Sequence, residues 1–244
     1  MGPLEAVVIG TVDLGEADRI ARLLSPDQGR WSVMVRRARA SRKRFAGLLQ
    51  TGNQVVLHTH RGRGQLPVLS SGDLARGPRR ARADLDRIAL LAYGCELCAA
   101  LAPEHHPAHR LYRLLVTWLD LLEGEALPGE ASRMALEAKA LTFAGLTPAL
   151  VRCARCGGPV EDPMVFDPEA GGALHSRCGG GRAVSTHQLL TLEALRRTPL
   201  VATPSAQAPP VRWLLSDFTQ HQLGRPLRSR GLLEGLVGGA DRRG

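Results

Sequence analysis

Val33-Met34-Val35-Arg36-Arg37-Ala38-Arg39-Ala40-Ser41-Arg42-Lys43-Arg44-Phe45-Ala46-Gly47-Leu48-Leu49-Gln50 opens as an apolar alternation that suits a strand, then turns abruptly into a basic run. Arg36, Arg37, Arg39, Arg42, Lys43 and Arg44 place six cations in nine residues with no acid among them. Like charges at that spacing repel, so the free chain gains nothing by gathering them. A polyanion does gain, through phosphate contacts that release condensed counterions. A solvated surface loop is the other reading of such a run taken alone.

The flanking sequence gives the run a setting. Residues 4–12 are rich in β-branched side chains and read as a strand, and Gly15-Glu16-Ala17-Asp18 turns the chain. Residues 19–25 and 31–37 form a hairpin across Pro26-Asp27-Gln28-Gly29, with Arg30 at its exit. Beyond the run, residues 54–60 and 66–70 make a second pair around Arg61-Gly62-Arg63-Gly64. Five short strands and one long basic connection predict a Greek-key barrel of the oligonucleotide-binding kind over residues 1–79, with an SH3-like barrel as the close competitor. Only Trp31 and Phe45 are aromatic in residues 1–80. Proteins that hold unstacked bases need several aromatic platforms. This barrel is therefore expected to grip phosphate backbone, on single strands and duplex alike, with little sequence preference and a strong dependence on salt.

The charge supports that placement. The chain of 244 residues carries a formal charge of +9. Residues 1–80 hold 14 Lys/Arg against 6 Asp/Glu, whereas the remaining 164 residues hold 18 against 17. Such a balance suggests nucleic acid before an anionic membrane. The start, Met1-Gly2-Pro3-Leu4-Glu5, lacks the form of a signal peptide, and no apolar run approaches about 20 residues, so neither export nor a membrane span is expected. The odd count of five cysteines fits a reducing compartment, and a cytoplasmic, nucleoid-associated protein is the expectation.

From residue 80 the texture becomes helical. Leu85, Ile88, Ala92, Cys95 and Ala99 recur as one buried face, and Pro103 ends that helix. Residues 111–122 and 131–146 give two more, and further helices fit 185–197 and 210–223 on either side of a Pro/Ala/Ser-rich segment, 199–210. The expected organisation is α+β and multidomain. The barrel is followed by a helical body over 80–150, an insertion at 151–183, and a second helical part with a C-terminal tail over 184–244. Cys95 and Cys98 lie in a helical stripe and read as core thiols. His105-His106-Pro107-Ala108-His109 reads as an exposed connection.

The insertion carries the metal chemistry. Cys153-Ala-Arg-Cys156-Gly-Gly is followed by His175-Ser-Arg-Cys178-Gly-Gly, two pairs of ligands each spaced by two residues and followed by glycine. Between them, residues 163–167 and 172–175 read as two strands. Three thiols and one imidazole in that form predict a structural zinc ribbon with Cys153, Cys156, His175 and Cys178 as its four ligands and no open position. A catalytic zinc would need a free coordination site and a neighbouring acid or base. Enzyme signatures are absent elsewhere. Neither Lys43 nor Lys139 follows a glycine as a phosphate-binding loop requires, and no nucleophile elbow occurs. Asp13, Glu16 and Asp18, the acids nearest the basic run, fit a turn better than a nuclease centre.

The chain resembles the bacterial RecO family of recombination mediators. The resemblance rests on Val7-Val8-Ile9, Gly15-Glu16-Ala17-Asp18-Arg19-Ile20, Gly29 before a strand running into Val35-Arg36-Arg37-Ala38-Arg39, the helical body, the hairpin at 153–178 and a closing helix near His221. It covers nearly the whole chain. The family's Ala-Lys-Gly-Ala-Arg-like segment is here Val-Arg-Arg-Ala-Arg, and His175 stands where many zinc-bearing relatives are expected to have cysteine. The resemblance implies a non-catalytic repair protein that binds single- and double-stranded DNA and anneals complementary strands. It also implies action with RecR and single-stranded-DNA-binding protein to help load RecA. The expected phosphate contacts are Arg36, Arg37, Arg39, Arg42, Lys43 and Arg44, with Arg30, Arg61 and Arg63 in support. A zinc-ribbon transcription factor or an RNA-binding factor would use the same parts, but no helix with a base-reading face stands out.

Overall fold

A computed structural model describes residues 2–38, 45, 47–62 and 64–240, the last five of these as backbone only. Five strands, β1 (Leu4–Leu14), β2 (Asp18–Ser25), β3 (Gly29–Val35), β4 (Gln54–His60) and β5 (Val68–Arg76), close a barrel in the order β1-β2-β3-β5-β4. Closure depends on β1, which serves two partners. Leu4–Val7 pairs with β4, Val7–Leu14 pairs with β2, and the register shifts between Val8 and Gly10. That irregularity bends the strand from one neighbour to the other, as a bulge does. The remaining seam is parallel, Met34 of β3 against Val68 of β5, and the Met34 amide donates to the Pro67 carbonyl at 2.8 Å. The result is the five-stranded oligonucleotide-binding arrangement that the strand spacing predicts.

Alternation fills the barrel. Along β3, Gly29, Trp31, Val33 and Val35 are buried and the residues between them are half-exposed. The long connection between β3 and β4 joins this core at its far end, where Phe45, Leu48 and Leu49 pack with Val33, Val55, Leu57 and Leu69. Asn53, fully buried, secures the same stretch by donating to the Gly47 and Leu48 carbonyls at 2.6 and 2.9 Å. Arg82 donates to its Oδ1 at 2.7 Å.

Six helices follow: α1 (Leu85–Leu101), α2 (His109–Leu122), α3 (Glu130–Phe143), α4 (Thr186–Arg197), α5 (Leu214–Leu223) and α6 (Arg230–Ala240). The chain forms two compact units, residues 1–123 with 229–244, and residues 124–228. In the first, α1 and α2 join the barrel. Tyr112 of α2 donates to Glu5 of β1 at 2.7 Å, and the Glu123 carboxylate accepts the amides of Arg79, Arg80 and Ala81 at 3.1, 3.1 and 2.9 Å. The segment after α1 runs against the β2–β3 turn. Arg30 donates its amide to Pro103, His105 to Arg30, and Ala108 to Pro26, at 2.9, 3.1 and 2.7 Å. Gly29 makes that approach possible. Its φ is +58°, and a Cβ there would lie 2.3 and 2.4 Å from the carbonyl oxygens of His106 and Pro103.

Three expectations need correction. Leu85 and Ile88 are not on a buried face, being 71 % and 39 % exposed, and burial of α1 begins at Ala89. From there the helix packs against β1, α2 and α6, so it is enclosed on several sides and a single stripe does not describe it. His109 is exposed but opens α2 rather than lying in the connection. The C-terminal tail contains a helix, α6, hidden by Gly231, Gly235, Gly238 and Gly239, each a weak helix former.

In the second unit α3 is buried almost all round, including Arg133 and Glu137, which pair at 2.5 Å. Arg133 also donates to the Arg212 carbonyl and lies 4.5 Å from the centre of the Trp213 ring. Strands β6 (Met164–Asp167), β7 (Gly172–His175) and β8 (Arg182–Val184) make a small sheet in the order β7-β6-β8. Phe166 of that sheet meets Phe218 of α5 edge to face at 5.9 Å. Among the described residues no helix is long and apolar enough to cross a membrane.

Two predictions follow from the packing. Gly29→Ala combines a left-handed backbone, about 1–2 kcal/mol, with overpacking, about 1–3 kcal/mol. Gly15→Ala, also at positive φ but with nothing within 4 Å, carries the backbone term alone. Urea unfolding should show the first variant losing clearly more stability than the second. Glu137→Ala strands the Arg133 guanidinium in the interior and should destabilise the second unit by about 3–5 kcal/mol, read as a lower midpoint in the same titration.

Candidate nucleic-acid interface and metal centre

One end of the barrel gathers an end of each of its five strands. Val35 of β3 lies opposite Arg19 of β2, Asp18 lies opposite Leu14 of β1, and Val68 of β5 adjoins both Met34 of β3 and His60 of β4. Arg36 and Arg37 leave β3 at this rim and Arg61 leaves β4, and all three are exposed. The register thus unites cations 24 or more residues apart in sequence. Arg37 takes φ +55°, and its amide donates to the Asp18 carboxylate at 2.8 Å. Asp18 therefore aims the start of the basic segment, and Arg19 is held beside it by Asp13 at 2.7 Å. Where the sequence placed these acids in a turn, Asp13 and Asp18 lie on the strands that flank it, and only Glu16 is in the turn itself.

Arg39, Arg42, Lys43, Arg44 and Arg63 lie outside the described residues. Arg30 is not brought to the cluster. It stands at the other end of β3, about 20 Å away at 3.3 Å per residue, and pairs with Glu104 at 3.4 Å. Trp31 and Phe45 are both buried, 4 % and 8 % exposed, so neither aromatic is offered to a base. Arg22 was passed over in the sequence. It projects exposed from β2 between Gly10 and Ser32 on the neighbouring strands, and only the pairing register reveals its small neighbours.

The second centre lies in the unit of residues 124–228. The ligand atoms of Cys153, Cys156, His175 and Cys178 all fall within 4.8 Å of one another. His175 Nδ1 is 3.4 Å from Cys156 Sγ and 3.9 Å from Cys178 Sγ. A tetrahedral zinc with ordinary Zn–S and Zn–N lengths separates sulfur from nitrogen by about 3.6 Å, so this donor set fits that ion. His175 Nε2 lies 2.9 Å from the Pro159 carbonyl. A carbonyl only accepts, so Nε2 carries the proton and Nδ1 turns its lone pair toward the thiols. Burial pushes the Cys153 thiol up, but the amides of Cys156, His175 and Arg155 outweigh it and bring the group down to about 6. Cys178 moves the other way, raised by burial and by its hydrogen bonds with Cys156 and Cys153.

Comparison with known proteins agrees across both units. The family model described as Recombination protein O N terminal matches residues 3–78, and that described as Recombination protein O C terminal matches residues 82–231. The chain belongs to the RecO family. It is 39 % identical to the DNA repair protein RecO of Anaeromyxobacter sp. (strain K) over 242 residues, covering 95 % of each chain. It is 37 % identical to that of Myxococcus xanthus over 232 residues, covering 92 % of this chain and 93 % of the other. The RecO protein of Symbiobacterium thermophilum matches at 31 % over 245 residues, 96 % of each.

Within this RecO-family chain the remaining cysteines have no part in the metal centre. Cys95 and Cys98 are buried in α1, and burial raises Cys95 to about 12 and Cys98 higher still. Thiols held protonated in this way are inert core residues. His105 and His106 are exposed, and their segment is fixed through its backbone rather than by a metal.

The imidazole ligand sets a test. His175→Ala should reduce bound zinc well below one equivalent per chain and lower the thermal midpoint of the purified protein. His175→Cys, with a fourth thiolate, should retain the ion through a longer exposure to chelator. Because Cys178 must give up a proton to bind metal, zinc uptake at neutral pH should release protons, and retention should weaken as pH falls. Calorimetry in buffers of different ionisation enthalpy measures both.

Proposed function

We propose that this RecO-family protein is a non-catalytic DNA-binding component of recombinational repair, which holds single- and double-stranded DNA by the backbone and anneals complementary strands. The observation that carries this reading is the convergence of Arg36, Arg37 and Arg61 on one barrel rim with both barrel aromatics buried. In the proposed interface these three are joined by Arg39, Arg42, Lys43 and Arg44 of the connection and by Arg63. Arg30 enters only where a bound strand runs the length of β3.

The chemistry of annealing fits such a surface. Two strands must approach against their mutual charge, and a cationic rim screens it. Stacking of bases on aromatics would compete with pairing, whereas contacts to phosphate leave the base edges free. The proposed partners follow the family: RecR, single-stranded-DNA-binding protein and, indirectly, RecA. In this reading zinc braces the ribbon through Cys153, Cys156, His175 and Cys178 and takes no part in a reaction.

The experiment compares wild-type protein with a variant in which Arg39, Arg42, Lys43 and Arg44 are all alanine. Each lost phosphate contact should flatten the slope of log affinity against log salt by about 0.7 on single strands. The variant should keep its fold and zinc but anneal labelled complementary oligonucleotides much more slowly. An unchanged slope and annealing rate would move the DNA site off the barrel, and cleavage of DNA in magnesium would contradict a non-catalytic role.

A further inference from the structure

The zinc-ribbon end carries cations that the metal centre does not use. Arg152, Arg155 and Arg177 each stand one residue from a cysteine of the cluster, and all three are exposed. Because the four ligand atoms converge within 4.8 Å, the backbone positions that carry these arginines are drawn to one end of the ribbon. Their partners are carbonyls rather than acids. Arg152 donates to Gly157 at 3.1 Å, and Arg155 reaches across to the Cys178 carbonyl, tying the two knuckles together. Arg177 has no hydrogen bond or ion pair among the described residues. Two of the four acids of the insertion lie elsewhere. Asp167 and Glu169 occupy the β6–β7 turn, about 10 Å along the hairpin from His175. Asp162 is engaged by the amide and hydroxyl of Thr186 at 2.8 and 3.1 Å. Among the described residues, Glu161 and Asp162 are the exposed acids at the knuckle end.

We propose that this end of the ribbon is a second phosphate-binding surface, which takes the backbone of a nucleic acid strand while the barrel holds another. The proposal rests on the DNA-binding reading above and extends it. Three guanidiniums set among glycine, alanine and serine offer forked donors to phosphate oxygens and little to an apolar ligand. An acidic protein tail with hydrophobic anchors would need a groove, and the exposed large apolar side chain at this end is Val151 alone among the described residues. Two backbone sites on one chain give annealing a simple physical basis, since two strands are then held without either one's bases being covered.

The test uses the full-length, zinc-loaded protein and a fluorescent 15-residue oligothymidylate. Two variants alter the surface: Arg152→Gln with Arg177→Gln, and Ser176→Glu, which adds an acid without removing a contact made by a side chain. Arg155 is kept because it bridges the knuckles. Wild-type chains should bind two equivalents of oligonucleotide at low salt and each variant one, with zinc content unchanged. The double variant should also lose about 1.4 from the salt slope, and annealing should slow at least five-fold. Two equivalents with an unchanged slope in either zinc-loaded variant would overturn the proposal and leave the barrel reading intact. So would decaglutamate binding that disappears in the variants while oligonucleotide binding does not, which would assign the surface to an acidic protein. Wild type that binds no oligonucleotide at all would instead overturn the DNA-binding function itself.

Discussion

The barrel must hold the two ends of a segment whose charges repel each other. Six cations within nine residues favour an expanded chain, and neither strand propensity nor solvent gathers them. The fold restrains both ends instead. At the start, the Asp18 carboxylate takes the Arg37 amide and fixes a left-handed residue that directs the chain off β3. At the finish, Phe45, Leu48 and Leu49 enter the barrel core, and Asn53 bonds the carbonyls behind them. Hydrophobic burial at one end and a charge-assisted hydrogen bond at the other oppose the repulsion without neutralising it.

The barrel rim and the ribbon lie in different compact units and place their arginines differently. At the barrel rim the cations come from strand ends united by register, and the nearby acids orient backbone or a neighbouring arginine. In the ribbon the cations are attached to the metal-binding knuckles, so the donor set that folds the insertion also places them. A histidine among the ligands has a further effect. With three thiolates and a neutral imidazole, bound zinc leaves one net negative charge where four thiolates would leave two. The nearby arginines then have less local charge to offset and more to offer outward.

Function here needs little buried chemistry. The strongly perturbed groups are the core thiols of α1, a tyrosine bonded to Glu5, and the knuckle cysteines. Each is explained by packing or by local hydrogen bonds. The interior of α3 is likewise structural, with Arg133 and Glu137 compensating each other beneath Trp213.

Local pattern was enough for much of this. Alternation in β3, the turn at Gly15, the glycine-flanked ligand pairs and the cation run are all short-range signals, and each carries its own physical cause. They determined the five-stranded barrel and the hairpin with its cluster of three cysteines and one histidine. Long-range pairing decided the rest. That Arg61 joins Arg36 while Arg30 stands about 20 Å from them follows from which strand ends meet, and a basic count cannot distinguish the three. Leu85 and Ile88 fit a helical period, yet enclosure by β1, α2 and α6 begins only at Ala89. The protonated nitrogen of His175 was equally hidden, because it depends on a carbonyl 16 residues away. Sequence determines which groups a chain possesses and their local spacing. Only the closed barrel and the folded knuckles set the distances at which those groups act on one another.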